Sequence, residues 1–353
     1  MATLSSTFTT LQQSRPATEG FGLAQPVGHG GVPTALAETL RAMELLAPGD
    51  TPRETPLSGG PGARLSRIDI GWGTVCIKRA GAITDSRCTG LLDAEVRWLR
   101  AAQSIAPGCT PAVLGEHPGG EAFAMEFLPS DDFPSWASRL SAGQVEPWVA
   151  AEVGHLIGRL HAATALSPAV ANQFEGRNAF LALRLEAVFG ESAAANPECA
   201  WELRRREAAL ATSRIALAHG GLAPDSILIG PRGPVLVDAD CAHFGDPMID
   251  AASLLAAILV RMAAHTQHRA AYVACWEAFQ RSYLPHVTWE MHEQAEGRAC
   301  ALVPAFALAA IGAGGSASLI GERARAALRA LLLAPPPRLD TLRATWLDAV
   351  EDC

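Results

Sequence analysis

Residues 219–256 read HGGLAPDSILIGPRGPVLVDADCAHFGDPMIDAASLLA, and the order of loop, strand, turn and carboxylate within them decides the expected fold. His219-Gly220-Gly221 opens a loop. Ser226-Ile227-Leu228-Ile229 then reads as a short strand, Gly230-Pro231-Arg232-Gly233 as a turn, and Pro234-Val235-Leu236-Val237 as a second strand closing on Asp238. The flanks carry helical spacing instead, over residues 144–165, 178–190, 198–214, 248–265, 269–282, 289–312 and 320–333, so one hairpin is embedded among helices. Upstream the period is two. Leu65, Ile68 and Ile70 lead into Gly71-Trp72-Gly73, and Val75-Cys76-Ile77-Lys78 returns, which predicts another hairpin. A helix over LLDAEVRWLRAAQS (91–104) follows, with Leu92, Val96 and Leu99 on one face, and then a strand over EAFAMEFL (121–128).

Ahead of the first hairpin, Leu36, Leu40, Met43 and Leu46 predict a helix that stops at Pro48-Gly49, and a Pro/Gly-rich connector runs to residue 62. Residues 1 to 32 show no sustained periodicity and read as a loosely attached arm. The chain therefore divides into an arm and helix (1–50), a strand-rich unit (51–128) and a helical unit holding the second hairpin (129–353). The expected class is α+β with two lobes, and the cleft between them is the default site.

Bulk composition agrees with a globular chain that can bury a large interior: 353 residues, 49% hydrophobic and 18% charged. The net charge of -8 argues against nucleic acid and anionic membrane surfaces as partners, since both require a basic face. Eight cysteines form no C-x-x-C pair and have no clustered histidines, which predicts reduced thiols rather than zinc or redox chemistry. The N-terminus lacks a secretory pattern, and the apolar runs AASLLAAILV and ALVPAFALAAIGAGG are shorter than a spanning helix, so a soluble cytoplasmic protein is expected.

Phosphoryl transfer from ATP needs a cation for the phosphates, carboxylates for magnesium, and a group that orients the acceptor hydroxyl. Lys78 ends an apolar strand in the V-A-I-K manner, and Glu95 lies seventeen residues on in the next helix, placed to pair with it. Separately, Lys78 also reads as a solvated strand end and Glu95 as a surface partner of Arg97 or Arg100. The spacing from His219 to Ser226, with Asp238 twelve residues further, repeats the catalytic-loop pattern H-R-D-L-x-x-x-N and its following metal aspartate. A duller reading takes HGG as an ordinary turn and DAD as a strand end in an unrelated α+β protein.

Taken together, the stretch resembles the core of the aminoglycoside phosphotransferase, choline kinase and methylthioribose kinase group, whose form is H-G-D-x-x-x-x-N, then D-x-[DE], G-D-P and D. The resemblance implies a protein-kinase-like bilobal fold, with a small antiparallel-sheet N-lobe and a large mainly helical C-lobe, using ATP and Mg2+ on a small-molecule acceptor. It implies that His219 braces the loop, that Ser226, Asp238 and Asp240 hold metal, and that Lys78 and Glu95 serve the phosphates. Met125 to Leu128, including Glu126 and Phe127, would form the linker that meets adenine. Asp246 and Asp250 would anchor the loop and cap the next helix.

One position departs seriously: Gly221 stands where the group has its catalytic aspartate. A general base is worth roughly 10²- to 10⁴-fold, so its loss slows such an enzyme without forbidding transfer. Asp225 or Asp240 could substitute. Two functional readings follow, an impaired ATP-dependent phosphotransferase and a pseudokinase that binds nucleotide or a protein partner. Trp276 and Phe279, with Trp289, Glu290, Glu293 and Glu296, read either as core and solvated face or as an acidic aromatic pocket for a cationic acceptor.

Overall fold

The computed structural model describes residues 34–47, 49–57, 63–81, 90–175, 180–312 and 320–350. The expected arm, Cys88 and Cys353 lie outside them.

Helix α1 (Thr34–Ala42) precedes strands β1 (Arg53–Leu57), β2 (Ala63–Ile70) and β3 (Gly73–Ala80), then α2 (Leu91–Ile105), β4 (Val113–Glu116) and β5 (Ala122–Glu126). The five strands form one antiparallel sheet in the order β1-β2-β3-β5-β4. Alternation along the strands gives the sheet two buried faces. Ile68, Val75, Ile77, Ala122 and Ala124 pack on one side against Leu36 and Leu40 of α1 and Met43 just beyond it. Leu65, Cys76, Phe123 and Met125 face the other way, joining Val96 and Leu99 of α2 in the main core. The helix expected over Leu36 to Leu46 is thus the cover of the outer sheet face, which explains its narrow apolar stripe.

The rest is helical: α3 (Trp136–Ser141), α4 (Pro147–Thr164), α5 (Pro168–Gln173), a π-helical run over Leu181–Gly190 that continues into α6 (Glu191–Ala195), and α7 (Ala200–Thr212). After β6 (Ala216–Ala218) comes the predicted hairpin, β7 (Ile227–Gly230) and β8 (Gly233–Leu236), then β9 (His243–Gly245). Helices α8 (Met248–Ala264), α9 (Arg269–Tyr283), α10 (His292–Gly312), α11 (Glu322–Leu333) and α12 (Leu339–Val350) complete the chain. Register in the hairpin runs from Ile227 opposite Leu236 to Gly230 opposite Gly233. This is the small-sheet, large-helical bilobal arrangement expected of a kinase-like chain.

Three differences from the sequence reading have physical causes. Strand β1 lay hidden in the connector because RETPL has little apolar content; it is an edge strand, where Pro56 is tolerated. Strands β6 and β9 pair with each other across the hairpin and are too short to show a period. Helix α10 falls within the helix expected over 289–312, but the apolar run there reads as shorter than a spanning helix. Its 21 residues are long and apolar enough to cross a membrane, but 72% of its most apolar window is buried inside the protein.

Removing the outer sheet cover should be costly. Leu40 is fully buried between α1 and the sheet, so Leu40→Ala is expected to lose about 3 kcal/mol of stability, read as a lower urea midpoint.

Candidate active site

Lys78 hangs from the sheet face that looks toward the helical lobe, opposite Leu65 on β2 and Phe123 on β5. Its Nζ lies 2.6 Å from Glu95 Oε2 on α2 and 2.7 Å from Asp238 Oδ1 just beyond β8. Lys78 and Glu95 are almost wholly buried, whereas the Asp238 side chain keeps 36% of its surface. A buried ammonium is tolerated only when paired. Burial by itself would lower the Lys78 pKa, but Asp238, Glu95 and Asp240 overcome that and hold it above the usual lysine range. Burial pushes the Glu95 carboxyl up against the opposing pull of Lys78. Asp238 takes a left-handed backbone conformation, φ 65°, a strained choice for a non-glycine residue and one that recurs at functional sites.

The loop beneath is held by a buried carboxylate. Asp250, in the first turn of α8, accepts the backbone N–H of His219 at 2.7 Å and of Gly220 at 2.9 Å. It also faces His161 Nε2 at 3.1 Å, and the Nδ1 of that ring lies 2.9 Å from the Tyr283 hydroxyl. Burial would raise the Asp250 pKa, but the histidines and the donated hydrogen bonds lower it below the ordinary carboxylate range. His219 is fully buried and its pKa is lowered by that burial, so it is neutral. Its Nε2 faces the Val237 carbonyl at 3.0 Å and its Nδ1 accepts Gly221 N–H at 3.3 Å, while Trp98 of α2 meets the ring edge to face. The glycines differ in kind. Gly220 has φ 78°, and a Cβ there would stand 2.1 Å from the Cys241 carbonyl oxygen; Gly221 lies outside the left-handed region.

Of the other residues singled out from sequence, Asp240 is half-buried and its charge acts on Lys78, Glu95 and His219. Asp238 and Asp240 thus offer two oxygen-donor side chains beside the lysine, a donor set that fits magnesium completed by phosphate oxygens and water. Ser226 is buried, and its hydroxyl accepts Ala223 N–H at 3.0 Å and donates to Ala223 O at 2.9 Å, so it is engaged within its own turn. Asp225 is exposed and its charge acts on Arg261 of α8. It is not drawn into the group around Lys78. Along the linker, Glu126 gives its backbone N–H to Ala112 O and its carboxylate accepts Ala112 N–H, which turns it toward the start of β4. Among the described residues the backbone N–H groups of Phe127 and Leu128 make no protein hydrogen bond.

The aromatic acidic pocket is not assembled. Trp276 and Phe279 are fully buried core residues, and Glu296 is buried against Leu339 N–H, Gln280 and Arg338. Glu290 is bound to Arg298, which also grips Asp246 at 2.8 Å. Asp246 and Asp250 act as loop anchors: the first accepts Met248 N–H at 3.0 Å and the second holds residues 219–220. Sequence reasoning missed His161, Tyr283 and Arg298, whose partners lie 89, 122 and 52 residues away.

Residues 86–289 match the family model of the phosphotransferase enzyme family (APH). The chain belongs to this family of small-molecule phosphotransferases. No match is found among curated proteins. Among solved structures, the chain is similar to a choline/ethanolamine kinase family protein from Mesorhizobium loti, with 17% identity, a TM-score of 0.53, and coverage of 90% of this chain and 98% of that one. It is also similar to an amicoumacin kinase solved with AMP-PNP, Ca2+ and Ami, at 13% identity, a TM-score of 0.53, and coverage of 86% and 94%. At these identities the likeness is one of fold.

Asp250→Asn is expected to lose about 3 kcal/mol at neutral pH. Because the folded pKa is depressed, this contribution is present above the unfolded carboxyl value of about 4 and is lost as pH falls through the folded value. Urea titrations across pH should therefore show the wild type and variant converging on acidification.

Proposed function

We propose that the chain binds MgATP in the cleft between sheet and hairpin and transfers its γ-phosphoryl group to a hydroxyl of a small molecule, slowly, because no carboxylate stands at Gly221. The observation that carries this reading is the double pairing of Lys78. An ammonium buried between a buried glutamate and a partly exposed aspartate is a costly way to join sheet, helix and hairpin, since apolar residues could pack there without desolvating charge. It is the arrangement a triphosphate and its cation require: a fixed cation for the phosphates and Asp238 and Asp240 for the metal. A bound magnesium ion would neutralise charge on the phosphates. Glu95 fixes the lysine rotamer, and the neutral His219 with Asp250 fixes the loop that carries residue 221. The amicoumacin kinase similar in fold, solved with a nucleotide analogue and a divalent cation, supports the same reading, as do the free N–H groups of Phe127 and Leu128 as contacts for a base.

Gly221 also favours a second reading, a pseudokinase that keeps nucleotide affinity and lacks turnover. Without an acceptor at that position, the rate rests on positioning and charge neutralisation. The backbone at residue 221 lies outside the left-handed region, so Gly221→Asp tests both readings. MgATP should raise the melting temperature of the wild type and not of Lys78→Ala. With an accepted hydroxyl compound, wild-type ATP consumption should be measurable and should rise roughly 10²- to 10⁴-fold in the aspartate variant. Binding without wild-type turnover would select the pseudokinase, and no binding would dismiss both.

A further inference from the structure

Arg67 is a charged residue on a sheet face whose neighbours Leu65, Cys76 and Met125 are apolar. It lies opposite Cys76 on the same sheet face as Lys78, two residues along β2 from the Leu65 that pairs with the lysine. That displacement runs away from the phosphate-binding end and toward the linker, and the guanidinium carbon stands 5.3 Å from the centroid of the Phe127 ring. Nε and Nη2 both donate to Asp69 Oδ1, at 3.1 and 2.9 Å, and Thr74 Oγ1 donates to the same oxygen at 2.8 Å. The side chain is thus held from two sides yet keeps 35% of its surface, and Nη1 makes no hydrogen bond to the described residues. On the helical-lobe side, Leu228, Val235 and Val237 cluster with Leu128 of the linker.

We infer that Arg67 forms one wall of the nucleotide-base slot and selects purines by stacking its guanidinium on the base. The inference rests on the proposed nucleotide site. Between the lysine that meets phosphates and the linker, whose Phe127 and Leu128 N–H groups make no hydrogen bond among the described residues, the sheet face presents Arg67 and the buried Cys76. A planar base entering that space meets a cation oriented by Asp69 and Phe127. Arginine stacks on π-faces and is weakly hydrated, so the contact is favourable, and a purine offers the larger face. Nη1 is left to donate to a ring nitrogen or carbonyl. An aliphatic side chain here would bind base by burial alone and would discriminate less.

Calorimetric titration with MgATP, MgCTP and magnesium tripolyphosphate separates the possibilities. Tripolyphosphate carries the charge and lacks the base. Arg67→Met, which keeps the stem length, and Arg67→Ala should each weaken MgATP by about 3- to 30-fold, reduce the preference for ATP over CTP, and leave tripolyphosphate affinity unchanged. Lys78→Ala should weaken all three. Unliganded melting temperatures of the Arg67 variants should stay close to the wild type, since the ion pair with Asp69 is half-exposed. Equal losses for ATP and tripolyphosphate would make Arg67 a phosphate contact, tighter ATP binding would make it a plug, and unchanged ATP binding would leave it idle; each overturns the inference. A wild type that binds neither nucleotide nor tripolyphosphate would instead defeat the nucleotide site itself.

Discussion

A buried ammonium between two carboxylates organises this molecule. Lys78 has left water, and the nearness of Glu95 and Asp238, with the charge of Asp240, offsets the desolvation. Those partners sit on different elements, α2 and the end of β8, so satisfying one charge fixes sheet, helix and hairpin relative to each other. The three form one triangle although Lys78 and Asp238 are 160 residues apart. Glu95 is hidden while Asp238 remains open. The cluster therefore has a structural half and a half that faces the cleft.

A second buried carboxylate supports the first group from below. Asp250 holds two consecutive backbone N–H groups and a histidine, and that histidine is itself held by Tyr283. The loop at 219–221 is in this way fixed from its backbone, independently of the side chain at 221. That independence gives the glycine substitution its meaning. Gly220 is demanded by a left-handed φ and by the Cys241 carbonyl, which a Cβ would meet, whereas Gly221 has no left-handed φ.

The sheet face between Lys78 and the linker is where this chain has its own character. Arg67 puts a cation and hydrogen-bond donors on a surface whose neighbours Leu65, Cys76 and Met125 are apolar. Asp69 and Thr74 keep it in place.

Much was written in the residues themselves. The hairpin over 226–237, the spacing from His219 to Asp238, the lysine at a strand end and the main helices are all local patterns, because turns and apolar periods depend on neighbours along the chain. Helix α12 is not among the helices expected from the sequence, although Leu339, Leu342 and Trp346 are buried at helical spacing. The pairing of Lys78 with Glu95 and its convergence with Asp238 were expected from the motif spacing, and the structure joins them. The tertiary structure alone sent Asp225 toward Arg261, turned Glu126 toward β4, placed Trp276 and Phe279 in the core and brought His161 to Asp250. Periodicity reports which face of an element is apolar, but the pairing of two polar groups on distant elements depends on how those elements pack, and that information is not carried by either segment alone.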